Sequence, residues 1–183
     1  MVNEQNSPKK RFRERCLKRL RYASRRNSYV KDRSVIDQLK ALIRQENAHR
    51  VMLYIPLGTE VNIDPLIRWL RRQKRTVYVP FMEGASFRLV KYRYPLKKKR
   101  FGIKEPNGSK QYRNKQIDLA VVPIVGMDAT LRRVGFGKGM YDRFFEKETE
   151  NIKKIVFVAR ELCYSNEIVT DHYDVKADLV IVP

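Results

Sequence analysis

Apolar residues along the chain recur with two different periods, which predict helices and strands in alternation. From Lys9 to Ala23, and again from Ser28 to about Glu46, they recur every three or four residues, the spacing of amphipathic helices. A shorter helix is predicted from Asp64 to Gln73, with Pro65 at a first-turn position. A last helix is predicted to end at about Glu148.

Short apolar runs predict the strands. They are rich in β-branched and aromatic residues, and proline or polar residues bound them. Strands that alternate with helices are typical of an α/β fold, with a parallel or mostly parallel sheet covered on both faces. The predicted strands are residues 50–55, 76–79, 86–92, 119–122, 154–159 and 179–182.

The length of the chain and its composition between these elements indicate the domain organisation. With 183 residues and no stretch typical of a linker, residues 1–183 are expected to form a single domain. Residues 93–117 are rich in Lys, Arg, Gly, Pro and Asn, and we expect a long functional loop there.

The charge is strongly unbalanced, with 40 Lys and Arg against 20 Asp and Glu, a formal net charge of +20. A nucleic-acid partner, a multiply anionic small substrate, or surface charge without a specific partner would each account for it. The basic tract at residues 95–100 fits a solvated or substrate-steering loop as well as a nucleic-acid contact. Because the aromatic residues do not interleave with the basic ones, nucleic acid is the weaker hypothesis.

Cysteine usage and the N-terminal segment bear on the compartment. Cys16 and Cys163 have no second cysteine or histidine at metal-ligand spacing, so we expect free thiols in a reducing compartment. The N-terminus lacks the apolar core of a signal peptide, and no apolar run reaches the roughly 18 residues of a membrane span. A soluble, cytoplasmic protein without a membrane partner is expected.

A glycine-rich segment follows the apolar run 118–123. Gly135, Gly137 and Gly139 leave backbone N–H groups unshielded, Lys138 adds positive charge, and a helix is predicted directly afterwards. These features favour phosphate binding. The spacing is neither that of a P-loop nor that of a dinucleotide-binding motif, and a purely structural tight turn remains the alternative.

Two aspartates are candidate metal ligands. Asp142 is predicted in the first turn of the last helix, where it could coordinate Mg²⁺ beside a phosphate or simply complement the helix dipole. Asp174 is predicted in a loop before the final strand, as a metal ligand or as a turn residue that bonds its own backbone.

Further polar residues are candidates for binding. Lys9 and Arg13 are four residues apart on the first helix and could reach one phosphate, or be surface charge. Glu60 follows the first strand, at the sheet edge where α/β proteins bind ligands, or is an exposed loop residue. His49 and His172 lack a nucleophile motif, and we expect neither to be catalytic.

Together these segments resemble the 5-formyltetrahydrofolate cyclo-ligase family, also called methenyltetrahydrofolate synthetase, along the length of the chain. The glycine segment is the specific part of the resemblance. The matching segments are Lys9-x-x-x-Arg13, residues 55–60, Gly102-Ile103-Lys104-Glu105-Pro106, the strand at Asp118, Arg133-x-Gly-x-Gly-x-Gly-x-Tyr-Asp142 and Asp174-x-x-x-Asp178.

The resemblance implies roles for residues in several of these segments. ATP would contact Lys9, Lys10, Arg11, Phe12, Arg13, Arg133, Val134, Gly135, Phe136, Gly137, Lys138, Gly139, Met140 and Tyr141. The folate would contact Ile55, Glu60, Phe136, Gly137, Lys138, Gly139 and Met140. Asp142 and Asp174 would hold Mg²⁺, and Lys138 and Arg133 would be catalytic.

The implied reaction is the ATP-dependent conversion of 5-formyltetrahydrofolate to 5,10-methenyltetrahydrofolate, with release of ADP and phosphate. The implied fold is a single three-layer α/β domain with a mainly parallel sheet, similar to the ribose-phosphate isomerase and CoA-transferase group. We expect a monomer, and a preference for polyglutamylated folate stays open. Met140, Ile124 and Tyr173 depart from residues common in the family. A non-catalytic folate- or nucleotide-binding relative is a further alternative.

Overall fold

The computed structural model describes residues 7–98, 104–106 and 116–183. Its α-helices match the predicted ones within two or three residues at each end. Helix α1 begins where the Ser7 hydroxyl accepts the Lys10 N–H at 3.2 Å, which caps the helix start. The helices are α1 (Pro8–Arg25), α2 (Ser28–Gln45), α3 (Asp64–Arg72) and α4 (Met140–Glu148), and a 3₁₀ turn (Thr149–Asn151) follows α4.

The described residues form eleven strands. They are β1 (Arg50–Met52), β2 (Thr76–Glu83), β3 (Ser86–Lys91), β4 (Leu96–Lys98), β5 (Lys104–Pro106), β6 (Leu119–Pro123), β7 (Gly126–Asp128), β8 (Arg133–Val134), β9 (Ile155–Val158), β10 (Tyr164–Ser165) and β11 (Leu179–Ile181).

Six strands form the central sheet, in the order β11-β9-β6-β1-β2-β3. All neighbours in it are parallel except β2 and β3, which pair antiparallel at one edge. The predicted α/β class with a mainly parallel sheet is therefore confirmed. Since the strands run the same way, the segments after β1, β6 and β9 leave the sheet at one edge, where α/β proteins bind ligands.

Two apolar cores lie on opposite faces of this sheet, because successive strand residues point to opposite sides. The cores make the fold three-layered. One contains Met52, Tyr78, Ala120, Val122 and Phe157 of the sheet with Phe12, Cys16, Leu20, Phe144 and Phe145 of α1 and α4. The other contains Val51, Val77, Leu119, Val121 and Val156 with Val35, Leu39, Ile43, Leu66 and Leu70 of α2 and α3.

The structure departs from the predicted strands in several places. Strand β1 ends at Met52, earlier than predicted, and the short strands β7, β8 and β10 were not predicted. Strand β2 does not stop at Pro80 but continues to Glu83, because Pro80 lies beyond the residues that pair with β1, so its missing N–H costs no bond there. Residues 93–117 are not one long loop, since β4 and β5 pair antiparallel within them. Gly102 and Ile103, as well as Lys99 and Arg100 of the basic tract, lie outside the described residues.

The expectation of two free thiols is wrong. Cys16 of α1 and Cys163, in the segment after β9, form a disulfide across 147 residues of chain. Both residues are buried, with their Cα atoms 5.5 Å apart. Sequence spacing could not indicate this pair, because only the packing of α1 against the sheet brings the two cysteines together.

No helix in the described part of the chain is long and apolar enough to span a membrane.

Candidate active site

A cavity of about 430 Å³ opens at the carboxyl edge of the central sheet. Its walls come from the segment after β1, the β2–β3 hairpin, the glycine segment between β8 and α4, the first turns of α1, and the segment before β11. The cavity is lined by Lys9, Arg13, Tyr54, Ile55, Leu57, Glu60, Pro80, Met82, Phe87, Arg133, Gly135, Phe136, Gly137, Lys138, Gly139, Met140, Tyr141, Asp142, Tyr173 and Asp174.

The lining brings together most of the predicted site residues. Four predicted ATP contacts are not part of it: Phe12 and Val134 are buried in the core, and Lys10 and Arg11 lie on α1 outside the lining. The lining also contains residues that the sequence did not single out, mainly Tyr54, Met82 and Phe87. As apolar or aromatic residues within or beside strands, they resemble ordinary core positions, and no sequence signal marks them.

The glycine segment turns sharply between β8 and α4. Gly137 and Gly139 have φ values of +88° and +61°, in the left-handed region that favours glycine, and Gly139 is the N-cap of α4. Gly135 meets a different constraint, because a Cβ there would overlap the guanidinium of Arg133. The Nε of Arg13 donates to the Gly135 carbonyl oxygen at 2.8 Å, which fastens α1 to this segment.

Arg133 lies beneath the glycine segment and is almost fully buried. Its Nε donates to the Pro123 carbonyl at 3.0 Å, and its guanidinium lies 4.6 Å from the centre of the Tyr141 ring. Burial lowers the pKa of Arg133, against the charges of Asp142, Glu60 and Asp174. An arginine so held places a fixed positive charge against the cavity.

Glu60 closes a turn that begins at Leu57. Its Oε2 accepts the Leu57 N–H at 2.8 Å, and its own N–H donates to the Leu57 carbonyl at 3.0 Å. Burial raises the pKa of Glu60 to about 7, although the Leu57 N–H and the charges of Arg133 and Arg160 oppose the shift. The carboxyl can therefore exchange a proton near neutral pH.

Asp142 and Asp174 both reach the cavity. Asp142 lies in the first turn of α4, and its Oδ1 is 3.4 Å from the Val175 N–H. Oδ2 of Asp174 accepts the Asp171 N–H at 2.7 Å and a hydrogen bond from Nζ of Lys9. Burial alone would lower the pKa of Lys9, but its hydrogen bonds to Asp174 and Asp171 outweigh this effect and raise it.

This pair of carboxylates is suited to Mg²⁺ that arrives with a phosphate. Among the described residues there is no group of three or more His, Cys, Asp or Glu side chains that could hold a metal by themselves. Mg²⁺, however, commonly takes only one or two protein carboxylates and completes its shell with phosphate oxygens and water. Asp142 and Asp174 fit that requirement, since they line one cavity beside the glycine segment.

The protein is thus an α/β protein whose cavity, at the carboxyl edge of a mainly parallel sheet, is lined by a glycine segment and by cationic side chains. The model of the 5-formyltetrahydrofolate cyclo-ligase family matches residues 5–183. The chain therefore belongs to the 5-formyltetrahydrofolate cyclo-ligase family, and the resemblance inferred from its motifs is confirmed.

Individual relatives agree with the family match. The chain is 29% identical over 158 residues to a 5-formyltetrahydrofolate cyclo-ligase of Haemophilus influenzae, covering 82% of this chain and 84% of that one. It is 23% identical over 193 residues to the enzyme of that name from Mus musculus, with 96% and 94% covered.

Solved structures show the same architecture. The 5,10-methenyltetrahydrofolate synthetase of Aquifex aeolicus superposes with a TM-score of 0.75 at 27% identity, covering 95% of this chain and 88% of that one. A 5,10-methenyltetrahydrofolate synthetase of Mycoplasma pneumoniae superposes with a TM-score of 0.71, covering 96% and 98%, and its 21% identity supports the fold alone.

Proposed function

We propose that this protein converts 5-formyltetrahydrofolate to 5,10-methenyltetrahydrofolate, with consumption of ATP and with Mg²⁺ bound. Family membership supports the reaction. The observation that carries the proposal is a single cavity lined both by cations and glycine N–H groups, suited to a nucleotide, and by a carboxyl and apolar surface, suited to a pterin.

The two substrates are assigned to opposite sides of the glycine segment, and residues 136–140 contact both. We place the phosphates of ATP against Lys9, Arg13 and the segment from Arg133 to Tyr141, because helix-start N–H groups and cations favour anions. We place the folate against Ile55, Glu60 and residues 136–140, with Glu60 binding and orienting the pterin. Phe136 is exposed and can pack on an aromatic ring. The ATP roles of Lys10, Arg11, Phe12 and Val134 stay predictions.

The proposed chemistry needs no protein nucleophile. The formyl oxygen attacks the γ-phosphorus of ATP, the bond from that phosphorus to the bridging oxygen breaks, and ADP leaves. N10 of the folate then attacks the activated formyl carbon and the ring closes. N10 loses its proton, and the carbon–oxygen bond breaks with release of phosphate.

The protein aligns the two substrates and stabilises negative charge during phosphoryl transfer. Lys138 and Arg133 provide positive charge next to the glycine N–H groups, and Arg133 is held in place by Pro123 and Tyr141. Mg²⁺ held by Asp142 and Asp174 would neutralise charge on the phosphates. A donor fixed before the reaction, as Arg133 is by Pro123 and Tyr141, needs no reorganisation when charge develops.

One assay tests the proposal directly. The protein is mixed with Mg-ATP and 5-formyltetrahydrofolate, and the absorbance of the methenyl product is followed, with omission of ATP as the control. We expect product to accumulate only with ATP. Folded protein that makes no product would defeat the enzymatic function. Salt-sensitive binding to RNA without ATP consumption would then favour the alternative of a basic nucleic-acid-binding module.

Four further properties are proposed with the function. We take residues 1–183 as one domain, because both apolar cores share the central sheet. A monomer, a cytoplasmic location and acceptance of polyglutamylated folate stay predictions, to be checked by sedimentation, by fractionation and by comparing KM values of mono- and polyglutamylated substrate.

A further inference from the structure

Arg160 forms a buried ion pair beside the cavity, outside its lining. It follows β9 at the carboxyl edge of the sheet, and its side chain is 7% exposed. Its Nε donates to Oδ1 of Asp32 at 2.7 Å, and its Nη2 donates to Oδ2 of the same carboxylate at 2.9 Å. The pair therefore joins β9 to α2 in the two-bond geometry that arginine favours.

The third nitrogen of the guanidinium points toward the Glu60 turn. Nη1 of Arg160 donates to the Gly58 carbonyl oxygen at 2.9 Å and lies 3.0 Å from the Ser24 hydroxyl near the end of α1. That hydroxyl donates to the Leu20 carbonyl at 2.7 Å, so it can accept from Arg160. One side chain thus connects β9, α2, α1 and the turn.

Gly58 lies in the same closed turn as Glu60, so a hydrogen bond to Gly58 restrains the turn that carries the Glu60 carboxyl. Leu57 and Glu60 are joined by two hydrogen bonds, one from the Leu57 N–H to the Glu60 carboxylate and one between their backbones. Gly58 lies inside this closed turn, and no atom would lie within 4 Å of a Cβ built on it. The Arg160 hydrogen bond to the Gly58 carbonyl and a 3.4 Å contact from the Ser24 hydroxyl to the Thr59 carbonyl together hold this turn from the side of β9 and α1.

We propose that Arg160, held by Asp32, is a positioning residue that fixes the Glu60 turn and so the site where the pterin binds. The proposal rests on the assignment of Glu60 to the folate in the proposed function. A buried ion pair is weak evidence for a stabilising role, because well-packed apolar residues of similar volume commonly give equal or greater stability. An apolar side chain, however, could not hydrogen-bond to Asp32, Gly58 and Ser24 at once, as Arg160 does.

The test compares Arg160→Lys with Asp118→Asn. Lysine keeps the positive charge beside Asp32, but its single nitrogen cannot hold the carboxylate in two places and also reach Gly58. Asp118 is the control, because its little-exposed side chain also takes part in ion pairs, with Arg50 and Lys153, and accepts the His49 and Arg50 N–H groups. It precedes β6, at the opposite edge of the sheet from the cavity.

We expect Arg160→Lys to raise KM for 5-formyltetrahydrofolate about tenfold or more while KM for ATP changes less than about twofold, since misplacing a binding group costs binding at that group. Asp118→Asn should lose stability and keep both KM values. Equal changes in both KM values, or no change in the folate KM, would overturn the proposal. If Arg160→Lys does not fold, Asp32→Asn, which keeps the Gly58 bond but loosens its support, should raise the folate KM in the same direction.

Hydrogen exchange provides a readout that does not depend on catalysis. The N–H groups of Leu57 and Glu60 are bonded within the turn, so they should exchange faster in Arg160→Lys than in wild type and be unchanged in Asp118→Asn. Unchanged exchange in Arg160→Lys would overturn the positioning role. Wild-type protein that makes no methenyl product, with the predicted exchange difference present, would instead defeat the proposed function alone.

Discussion

Lys138 is the residue whose charge has the most direct proposed role in the reaction. It lines the cavity between Gly137 and Gly139, and removing one such donor costs about 3 kcal/mol of transition-state stabilisation. Lys138→Ala should therefore reduce turnover about a hundredfold or more. Lys147→Ala, on the exposed side of α4 outside the cavity, removes the same charge and should leave turnover unchanged. Steady-state kinetics check both, and normal turnover in Lys138→Ala would remove Lys138 from the mechanism.

Gly135 controls the place of Arg133. A methyl group at residue 135 would overlap the guanidinium of Arg133, so Gly135→Ala must displace that guanidinium. We expect turnover to fall about a hundredfold, as for loss of a charge-stabilising donor. Gly84→Ala is the control, because its φ of +57° strains the backbone by about 1–2 kcal/mol while no atom lies within 4 Å of the added methyl. It should lose stability and keep its turnover.

Glu60→Gln removes the charge of the residue that we propose binds and orients the pterin, while it keeps the size of the side chain. It should raise KM for 5-formyltetrahydrofolate and leave ATP binding intact, as measured by kinetics and by ATP titration.

The stability of the protein should also depend on the pKa of Glu60, which burial raises from 4.5 to about 7. Because the folded protein holds this proton to higher pH than the unfolded chain, the free energy of unfolding of wild type should fall as pH rises across that interval. The difference in free energy of unfolding between wild type and Glu60→Gln should therefore fall as pH rises across that interval. If the free energies of the two proteins change in parallel with pH, the prediction is contradicted.

At the scale of elements, Asp128 fastens the segment that carries Asp174. Its fully buried carboxylate accepts the backbone N–H groups of Thr130, Val169 and Thr170 and the hydroxyls of both threonines. Burial would raise the pKa of Asp128, but these hydrogen bonds prevail and lower it to about 2.

Asp128→Asn should therefore destabilise the protein by about 2–3 kcal/mol, because an amide N–H₂ replaces one accepting oxygen and leaves donors unpaired. The ionised carboxylate stabilises wild type above the unfolded pKa of 3.8, and this contribution is lost as pH falls to about 2. Denaturant unfolding at neutral and acid pH measures both effects. A variant as stable as wild type at neutral pH would show that the hydrogen bonds around Asp128 contribute little.

The elements that the sequence predicted well are those with a sustained period. Helices α1 and α2 each repeat their apolar stripe over several turns, and β6 and β9 are continuous apolar runs. Strands β8 and β10 have two residues each, too few to show any alternation, and both exist only because β7 pairs with them. Tertiary pairing, not local pattern, creates them.

In the candidate site, too, residues that are close in sequence could be predicted, and residues that only the fold brings together could not. The glycine segment and Asp142 stand together in the sequence, so motif and charge indicated them. The pair of Arg160 and Asp32 is separated by 128 residues, and no local pattern connects them. Tyr54 and Phe87 line the cavity, but aromatic residues within or beside strands are equally typical of a hydrophobic core. Residues that act through long-range packing thus escaped prediction.

At the scale of the whole molecule, the disulfide joins parts of the chain that are far apart in sequence. It connects α1, which carries Lys9 and Arg13 to the cavity, with the segment after β9, 147 residues later. A cross-link over so long a loop restricts the unfolded chain strongly, and disulfides typically contribute about 2–4 kcal/mol.

Reduction should therefore lower the free energy of unfolding by about 2–4 kcal/mol. The control is the double variant Cys16→Ser with Cys163→Ser, which should be no more stable than the reduced protein and should not respond to reductant. Denaturant unfolding with and without dithiothreitol measures the difference, and thiol titration of unreduced protein in denaturant should find no free thiol. Two reactive thiols per chain in that titration, with stability indifferent to reductant, would show that the pair is not bonded in the isolated protein. In that case the proximity of Cys16 and Cys163 would reflect only the packing of α1 against the sheet.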